Sequence, residues 1–528
     1  METKMETDYL IIGSGFGGSV CALRLAEKGY SVTVLEQGRE IGHQDVERAD
    51  RKLASYIWEP ALGWGGFFRQ RLFRHVCLVS GVAVGGGSVV YAAVLLKPGP
   101  AFYRDLSLAG PGLDWEAELA PHYEEASRML GVTENPAFGL QDAYLKLAAL
   151  RMGAGRSFGP TKNGIFFGEA GKTVPDPFFH GEGPSRTGCK LCGDCLTGCA
   201  HGAKNSLDKN YLHLARRMGA RIQPLCRATR IEPLAGGGYR VDSVHALAAN
   251  RKYPSIRARN VILAGGVVGS LEFLFQARDS DRTLPGVSGV LGRTVRTNSE
   301  SLVGILSRDP DEDITKGTAI TSDFYPDSRT HVTQNRFAPG QSFLRWQLFP
   351  MADEPRPWKR RLRALALLAG HPLESTLAWR AKRFRERFTL LTVMQHGDNG
   401  LSFAWERSPL PPFRQRMVSR KLVGREAPAH LPVANAAARA FAEVSGGIPY
   451  SSLFESMGNL SVTAHILSGC PMGTGPENGV IDTDHQVFGH PGLYVVDGSA
   501  VPANVGVNPS LTIAAFAERF ASRIPPRE

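Results

Sequence analysis

Two stretches of this 528-residue chain carry residue types whose spacing could do chemistry. The first is CKLCGDCLTGC at 189–199, in which Cys189, Cys192, Cys195 and Cys199 follow the pattern C-x2-C-x2-C-x3-C. That is the ligand spacing of a bacterial ferredoxin cluster, with Ala200 where proline is usual. Structural zinc sites generally separate their C-x-x-C pairs by roughly a dozen residues or more, so the run suits zinc poorly. In two-cluster ferredoxins the fourth cysteine serves the other cluster, and the chain has no second run. Four arrangements stay open: all four bind one iron-sulfur cluster, only three bind it, the four are thiols packed in a glycine-rich loop, or they hold a zinc ion.

The second stretch is GSGFGG at 13–18, between the apolar run DYLII and the helix-periodic SVCALRLAEKG. Gly13 permits a tight turn, Gly15 lets backbone approach a pyrophosphate, and Gly18 lets the helix pack closely on the strand. A second strand, YSVTVLE, ends at Glu36, 18 residues after Gly18, placed to accept from an adenosine ribose hydroxyl. The pattern binds an ADP moiety at a helix N-terminus and serves NAD and FAD alike.

The chain is longer than one hydrophobic core supports, so two domains built from interleaved segments are expected. With 43% hydrophobic and 21% charged residues and no repeat or low-complexity tract, it reads as globular. The start, METKMETDYLIIG, has no signal-peptide pattern, which predicts a cytoplasmic protein whose eight cysteines are thiols or metal ligands. No apolar stretch is long enough for a transmembrane helix.

Of the net charge of +11, residues 356–387 supply +8: Arg356, Lys359, Arg360, Arg361, Arg363, Arg380, Lys382, Arg383, Arg385 and Arg387 stand against Glu374 and Glu386. Between the basic ends, LRALALLAGHPLESTLAW predicts an amphipathic helix pair broken near Gly370-His371-Pro372. The segment reads either as a solvated basic face or as a peripheral contact with anionic lipid. No aromatic-basic interleaving points to nucleic acid.

Further blocks choose between the nucleotide cofactors: GVAVGGGSVVYAAVLL (81–96), TAITSDFYPDSRTHV (318–332), LTVMQHGDNGLSFAW (391–405), HILSGCPMG (465–473), GVID (479–482) and LYVVDGSAVPANVGVNPSLTIAAFAERFA (493–521). With the N-terminal fingerprint they resemble the glucose-methanol-choline (GMC) oxidoreductases, in the bacterial cholesterol-oxidase-like and long-chain-alcohol-dehydrogenase-like branch. The resemblance implies an α/β fold: a discontinuous Rossmann-like FAD-binding domain (1–100, 190–300 and 455–528) and an α+β substrate domain with an antiparallel sheet (301–454). Residues 101–189 connect them.

It also implies FAD, covalent or not, held by Gly13, Gly15, Gly18 and Glu36. The Gly85-Gly86-Gly87-Ser88 loop would lie near its phosphates and ring, and Asp497 and Gly498 near its ribityl chain. A helix from Pro509 would aim its positive end at the flavin pyrimidine. The family's catalytic pair falls on His465, a base for the alcohol proton, and Asn508, which orients the hydroxyl while hydride leaves for flavin N5. Read without the family, a lone histidine and an Asn before Pro are ordinary structural residues.

Three positions depart from the family pattern: Tyr91 stands where many relatives have Asn, Ile466 and Ser468 alter the turn around His465, and Gln347 stands where cholesterol oxidases place an isomerising Glu. Oxidation without isomerisation is therefore expected. Flavoprotein subunits of bacterial membrane sugar dehydrogenases, in the same group, have a comparable cysteine-rich insertion that holds a cluster. The resemblance thus implies oxidation of a hydrophobic alcohol, a sterol, long-chain or natural-product compound. Oxygen or an external electron acceptor would reoxidise the flavin. A non-redox flavin-scaffold lyase and an electron-transfer subunit are the rival readings.

Overall fold

The structure is a computed structural model that describes residues 5–110, 112–409, 411 and 413–528. Tyr9, Leu10 and Ile11 are buried in succession, which requires cover on both faces of their strand and suits a parallel sheet. The strand Met5–Ile12 pairs in parallel with Val32–Leu35 on one side and with Ala248–Leu263 on the other. Arg221–Gln223 and Leu493–Val495 extend the parallel part, while Tyr239–His245 and Cys226–Pro233 add an antiparallel hairpin. One sheet thus gathers strands from both ends and the middle of the chain.

The helix Phe16–Glu27 buries every residue from Phe16 to Leu23, because the C-terminal helix Ser510–Arg523 covers the side that the sheet does not. A buried polar clamp ties the two helices: Arg24 Nε donates to Glu518 at 2.8 Å, and the Tyr211 hydroxyl donates to the same carboxylate at 2.6 Å.

The second layer is a seven-stranded antiparallel sheet in the order Leu348–Pro350, Gly447–Ser452, Ser301–Ser307, Phe388–Gln395, Thr330–Asn335, Ser322–Asp327, Gly159–Pro160. Its strands alternate as a two-sided sheet should. Val303, Ile305, Leu391 and Val393 pack on the helices Leu140–Arg151 and Pro432–Ser445, whereas Leu302, Leu390 and Thr392 face a cavity on the other side. Ala434, Ala437 and Ala438 let the second helix lie close to the sheet. The α/β architecture with an added antiparallel sheet is the one expected.

The basic segment forms helices Pro357–Gly370, Pro372–Ser375 and Leu377–Arg380, broken at His371. Two of its ten cations are not on a solvated face. Arg360 is buried and donates to Glu354 O and to Asn459 Oδ1 at 2.9 and 2.5 Å, and Arg387 donates to Ser307 O at 2.7 Å. They satisfy carbonyls where turns end, a use that charge counting misses. Trp358, Leu362 and Leu365, at helical spacing, are 58, 59 and 44% exposed. Among the described residues no helix is long and apolar enough to cross a membrane.

His485 is fully buried against Phe516 and Phe520, its Nδ1–H donating to Val495 O at 2.8 Å and its Nε2 without a partner among the described residues. Burial pushes its pKa down to about 4. Below the unfolded-state value of about 6.5, the unfolded chain therefore takes up a proton that the folded chain refuses. This contribution to stability is present above pH 6.5 and is lost as pH falls toward 4, in total by about 3 kcal/mol. Urea midpoints measured from pH 7 to 4 should fall, and the fall should be shallower for His485→Gln.

Candidate active site

The strand Met5–Ile12 ends in Gly13 at φ +105°, where an added Cβ would lie 2.3 Å from Ala264 O. The turn is therefore closed to other residues on both conformational and steric grounds. Gly15 caps the next helix and has nothing within 4 Å of where its Cβ would be, so the helix N-terminus meets open space. Gly18 lies behind, with a virtual Cβ 2.1 Å from Gly13 O, which makes it a packing residue. Glu36 is buried and accepts from Ser14 N at 2.9 Å, Ser14 Oγ at 2.7 Å and Gly38 N at 2.7 Å. Burial raises its pKa, opposed by those bonds and by a further one from the Gln37 N–H.

Gly13, Gly15 and Glu36 line one end of a cavity of about 560 Å³ between the two sheets. Gly86, Gly87, Asp497, Gly498, His465, Asn508 and Pro509 line it further along. Asp497 accepts from Ser270 Oγ at 2.5 Å, from Ser499 N at 2.8 Å and from Ser499 Oγ at 2.5 Å, which fixes the loop after the strand Leu493–Val495. The helix expected from Pro509 spans Ser510–Arg523 with Pro509 as its N-cap, and its first residues face the cavity.

Gly85 and Ser88 do not face the cavity. Ser88 Oγ donates to Gly85 O at 2.6 Å and accepts from Leu207 N at 3.0 Å, closing the turn from behind. Gly86, whose virtual Cβ would lie 2.7 Å from Gly15 Cα, brings the two glycine loops together. Tyr91 lies on the cavity wall with its hydroxyl donated to Asn205 O at 2.8 Å.

His465 and Asn508 are adjacent, with Asn508 Nδ2 3.3 Å from His465 Nε2. The other ring nitrogen meets Glu300, a residue that no local motif marks. A carboxylate accepts only, so Nδ1–H donates to Glu300 and the Nε2 lone pair accepts from Asn508 Nδ2, with both side chains on the cavity wall. Glu300 is 3% exposed and also accepts from Ala464 N at 3.1 Å. Two residues earlier, Asn298 Nδ2 donates to Val507 O at 2.6 Å and its Oδ1 accepts from Gly506 N at 3.1 Å, so the same segment holds the loop that carries Asn508. Among the described residues Asn508 Oδ1 is buried without a hydrogen-bond partner, an acceptor on the cavity wall. Backbone glycines at one end, a dipolar helix N-terminus and an orphaned amide at the other fit a flavin dinucleotide.

The four cysteines of the 189–199 run are all unpaired and all line one small pocket away from the large cavity, together with Asp50, Asp194, His201 and Lys204. Cys199 thus turns back to the same pocket as the other three. Among the described residues no group of three or more His, Cys, Asp or Glu is arranged to hold a single metal ion.

Residues 8–336 match the model of the FAD dependent oxidoreductase family and residues 427–517 that of the GMC oxidoreductase family. The chain is 41% identical to a cholesterol oxidase of Acinetobacter baumannii, covering 98% of this chain and 94% of that one. It is 42% identical to a cholesterol oxidase of Mycobacterium tuberculosis, covering 99% and 92%. A long-chain-alcohol oxidase of Arabidopsis thaliana, FAO1, is 23% identical over 99% of this chain and 67% of its own. The solved structure of pyridoxine 4-oxidase from Mesorbium loti superposes with a TM-score of 0.64 at 16% identity, covering 98% of both chains, and so shares the fold. A dinucleotide cradle, a second sheet closing over it and full-length identity above 40% converge on one conclusion: the chain belongs to the GMC oxidoreductases, FAD-dependent enzymes acting on CH–OH donors.

Proposed function

We propose that this enzyme oxidises a hydrophobic alcohol, with a sterol as its first candidate, using His465 as base and Asn508 as the orienting group. The observation that carries the reading is the Glu300–His465–Asn508 array opening on the cavity that begins at the glycine fingerprint. Gly13, Gly15 and Glu36 would hold the ADP half of FAD, Gly86 and Gly87 its middle, and Asp497, Gly498 and Pro509 the flavin end. Gly18, Gly85 and Ser88 would shape those loops from behind. Residues 1–100, 190–300 and 455–528 would form this unit and 301–454 the substrate unit. Bound flavin supplies the acceptor of an electron pair.

The residues of the chain supply the rest. Asn508 Nδ2 donates to the alcohol oxygen and sets its position. His465 Nε2 takes the hydroxyl proton as the O–H bond breaks. The carbinol C–H bond gives up its hydrogen with both electrons, and the C=O bond forms. The imidazolium then shares its Nδ1–H with an anionic Glu300, which offsets the new charge.

Beyond the base the cavity is walled by Leu302, Leu390, Phe337, Phe343 and Leu344, so the substrate's body must be apolar. Relatives at 41 and 42% identity are named for cholesterol, which supports a sterol. Gln347 also lines the cavity. An amide cannot shuttle a proton, so the ketone would leave without movement of a double bond. Such alcohols partition into bilayers, and the exposed Trp358, Leu362 and Leu365 beside Arg361 and Arg363 suit docking on an anionic membrane from the cytoplasmic side.

Anaerobic addition of a sterol or long-chain alcohol to the purified yellow protein should bleach its flavin absorption, and His465→Ala should slow bleaching about 100- to 10,000-fold while retaining flavin. Flavin that stays oxidised with every alcohol tried would favour a lyase or a subunit without its own substrate and would overturn the proposal.

Glu300→Gln should lower kcat about 100-fold with KM within about threefold, because only the charge that compensates the imidazolium is lost. A purely structural carboxylate would instead show itself as lost flavin or lost folded protein, with kcat per bound flavin unchanged.

Vesicles rich in phosphatidylserine should pellet the protein at low salt, and the pelleted fraction should fall about tenfold in a Trp358→Glu, Leu362→Glu double variant. Turnover of detergent-dispersed alcohol should be unchanged by those substitutions.

A further inference from the structure

The strand Phe68–Leu72 sends its side chains to two different places. It pairs antiparallel with Val76–Gly81, the strand that leads into the second glycine loop, with Phe68 opposite Gly81 and Arg69 opposite Ser80. Side chains alternate along a strand, so Phe68 and Gln70 share one face and Arg69 and Arg71 the other. Phe68 stacks on Tyr56 with ring centres 4.9 Å apart, and Gln70 Oε1 accepts from Gln347 Nε2 at 3.5 Å. That face is turned toward the segment Pro339–Gln347, which leads into the second sheet. Phe343, part of the apolar wall, packs on the same Tyr56 ring at 6.3 Å, so the apolar end of the cavity belongs to this face.

The other face is turned toward the first layer. Arg71 Nη1 donates to Glu272 Oε2 at 2.8 Å, and Glu272 lies on the helix Gly266–Phe275. Gly265, which caps that helix, packs on the fingerprint turn: its N lies 2.9 Å from where a Cβ of Gly13 would be. At the end of the neighbouring strand, a Cβ on Gly81 would lie 2.6 Å from Gly86 O, and Gly86 in turn abuts Gly15. Arg69 therefore lines the cavity on its dinucleotide side, close to where the two glycine loops meet.

Among the described residues the cations that line this cavity are Arg69, Arg71 and Arg227. Arg71 is engaged through both Nη atoms by Glu272, and Arg227 is exposed. Arg69 is half-buried and makes no hydrogen bond or ion pair among the described residues. Desolvation, and after it the neighbouring Arg71, lowers its pKa, while Glu272 and Glu59 act in the opposite sense. Glu272 is already paired with Arg71, and Glu59 is not within salt-bridge distance of Arg69. Neither glycine loop contains Lys or Arg, so backbone N–H groups and a helix dipole are all that the loops themselves offer an anion. A partly desolvated guanidinium suits a diphosphate, whose oxygens accept two of its N–H groups in parallel.

We propose that Arg69 is the side-chain counter-charge of the dinucleotide's diphosphate, acting with the backbone N–H groups at the start of the helix Phe16–Glu27. This role rests on the placement of FAD proposed above, with its ADP half at Gly13, Gly15 and Glu36 and its middle at Gly86 and Gly87. The alternation of the strand keeps the two ligands apart: Arg69 serves the charged cofactor, and Phe68 faces the apolar alcohol's end of the cavity.

The test uses the full chain produced under riboflavin starvation and titrated calorimetrically with ADP, which carries the diphosphate, and with adenosine, which does not. FAD should displace the bound ADP. Arg69→Met should weaken ADP binding about 10- to 100-fold and adenosine binding by no more than about twofold. Arg69→Lys, which keeps the charge and loses the planar fork, should lose less than Arg69→Met and stays readable where the methionine variant does not fold. Gln70→Leu, on the other face of the same strand, should leave ADP binding within about twofold. Equal losses for ADP and adenosine, an equal loss in Gln70→Leu, or ADP binding unchanged by either Arg69 substitution would overturn the role of Arg69 and leave the placement of FAD standing. ADP that binds the unaltered chain and is not displaced by FAD would overturn the placement itself.

Discussion

The active-site geometry depends on a buried carboxylate at the wall of the large cavity. Glu300 sits in the segment Thr297–Glu300, and a desolvated anion there is tolerable only while His465 and the Ala464 N–H satisfy it. Withdrawing either partner would leave an uncompensated charge, which typically costs about 3–5 kcal/mol. The same four residues hold the other half of the array through Asn298. Two groups 43 residues apart in sequence are therefore positioned by one turn that is 165 residues from the first and about 209 from the second. Ser299 at φ +49°, its N–H bonded to Thr297 Oγ1 at 3.2 Å, makes the turn that lets Asn298 and Glu300 serve different loops.

That turn also lies at a junction of the architecture. Val295–Arg296 pairs with the strand Leu467–Ser468, just past His465, and Ser301–Ser307 begins the middle of the antiparallel sheet. The chain passes from the first sheet to the second at the point where His465 is held, so the imidazole is fixed to both layers at the wall of the large cavity. The alternation along Ser301–Ser307 and Phe388–Gln395 gives that sheet one face toward the cavity and an apolar one toward its covering helices.

Local geometry was legible in the sequence and long-range pairing was not. The glycine turn and Glu36 could be placed because strand, turn, helix and acid all lie within about 30 residues, and backbone sterics dictate their order. The GGGS block was legible as a loop, but not which of its residues face the cavity: Gly86 and Gly87 do, while Ser88 closes the turn behind them. His465 and Asn508 emerged only through resemblance, since neither spacing nor periodicity marks them. Glu300 was not legible, because the tripeptide NSE has no local signature and its partner is distant. The basic segment misled in part: a charge count treats every arginine as solvated, and a guanidinium with five donors is also well suited to cap buried carbonyls, as Arg360 and Arg387 do.

Buried charge on both sides of the glycine loop is satisfied by local hydrogen bonds. Facing the large cavity, the carboxylates Glu36, Asp497 and Glu300 accept from N–H, O–H or imidazole donors. Behind the loop, Lys204 donates to Val89 O and Tyr91 O on one side and to Cys195 O on the other, and Arg186 donates to Gly202 O, Ala203 O and Lys204 O. A desolvated ammonium is costly unless such acceptors are held in place, so the same bonds that satisfy Lys204 tie the back of the glycine loop to the cysteine segment. Gly86 can approach Gly15 closely because the loop that carries it is fixed from behind in this way.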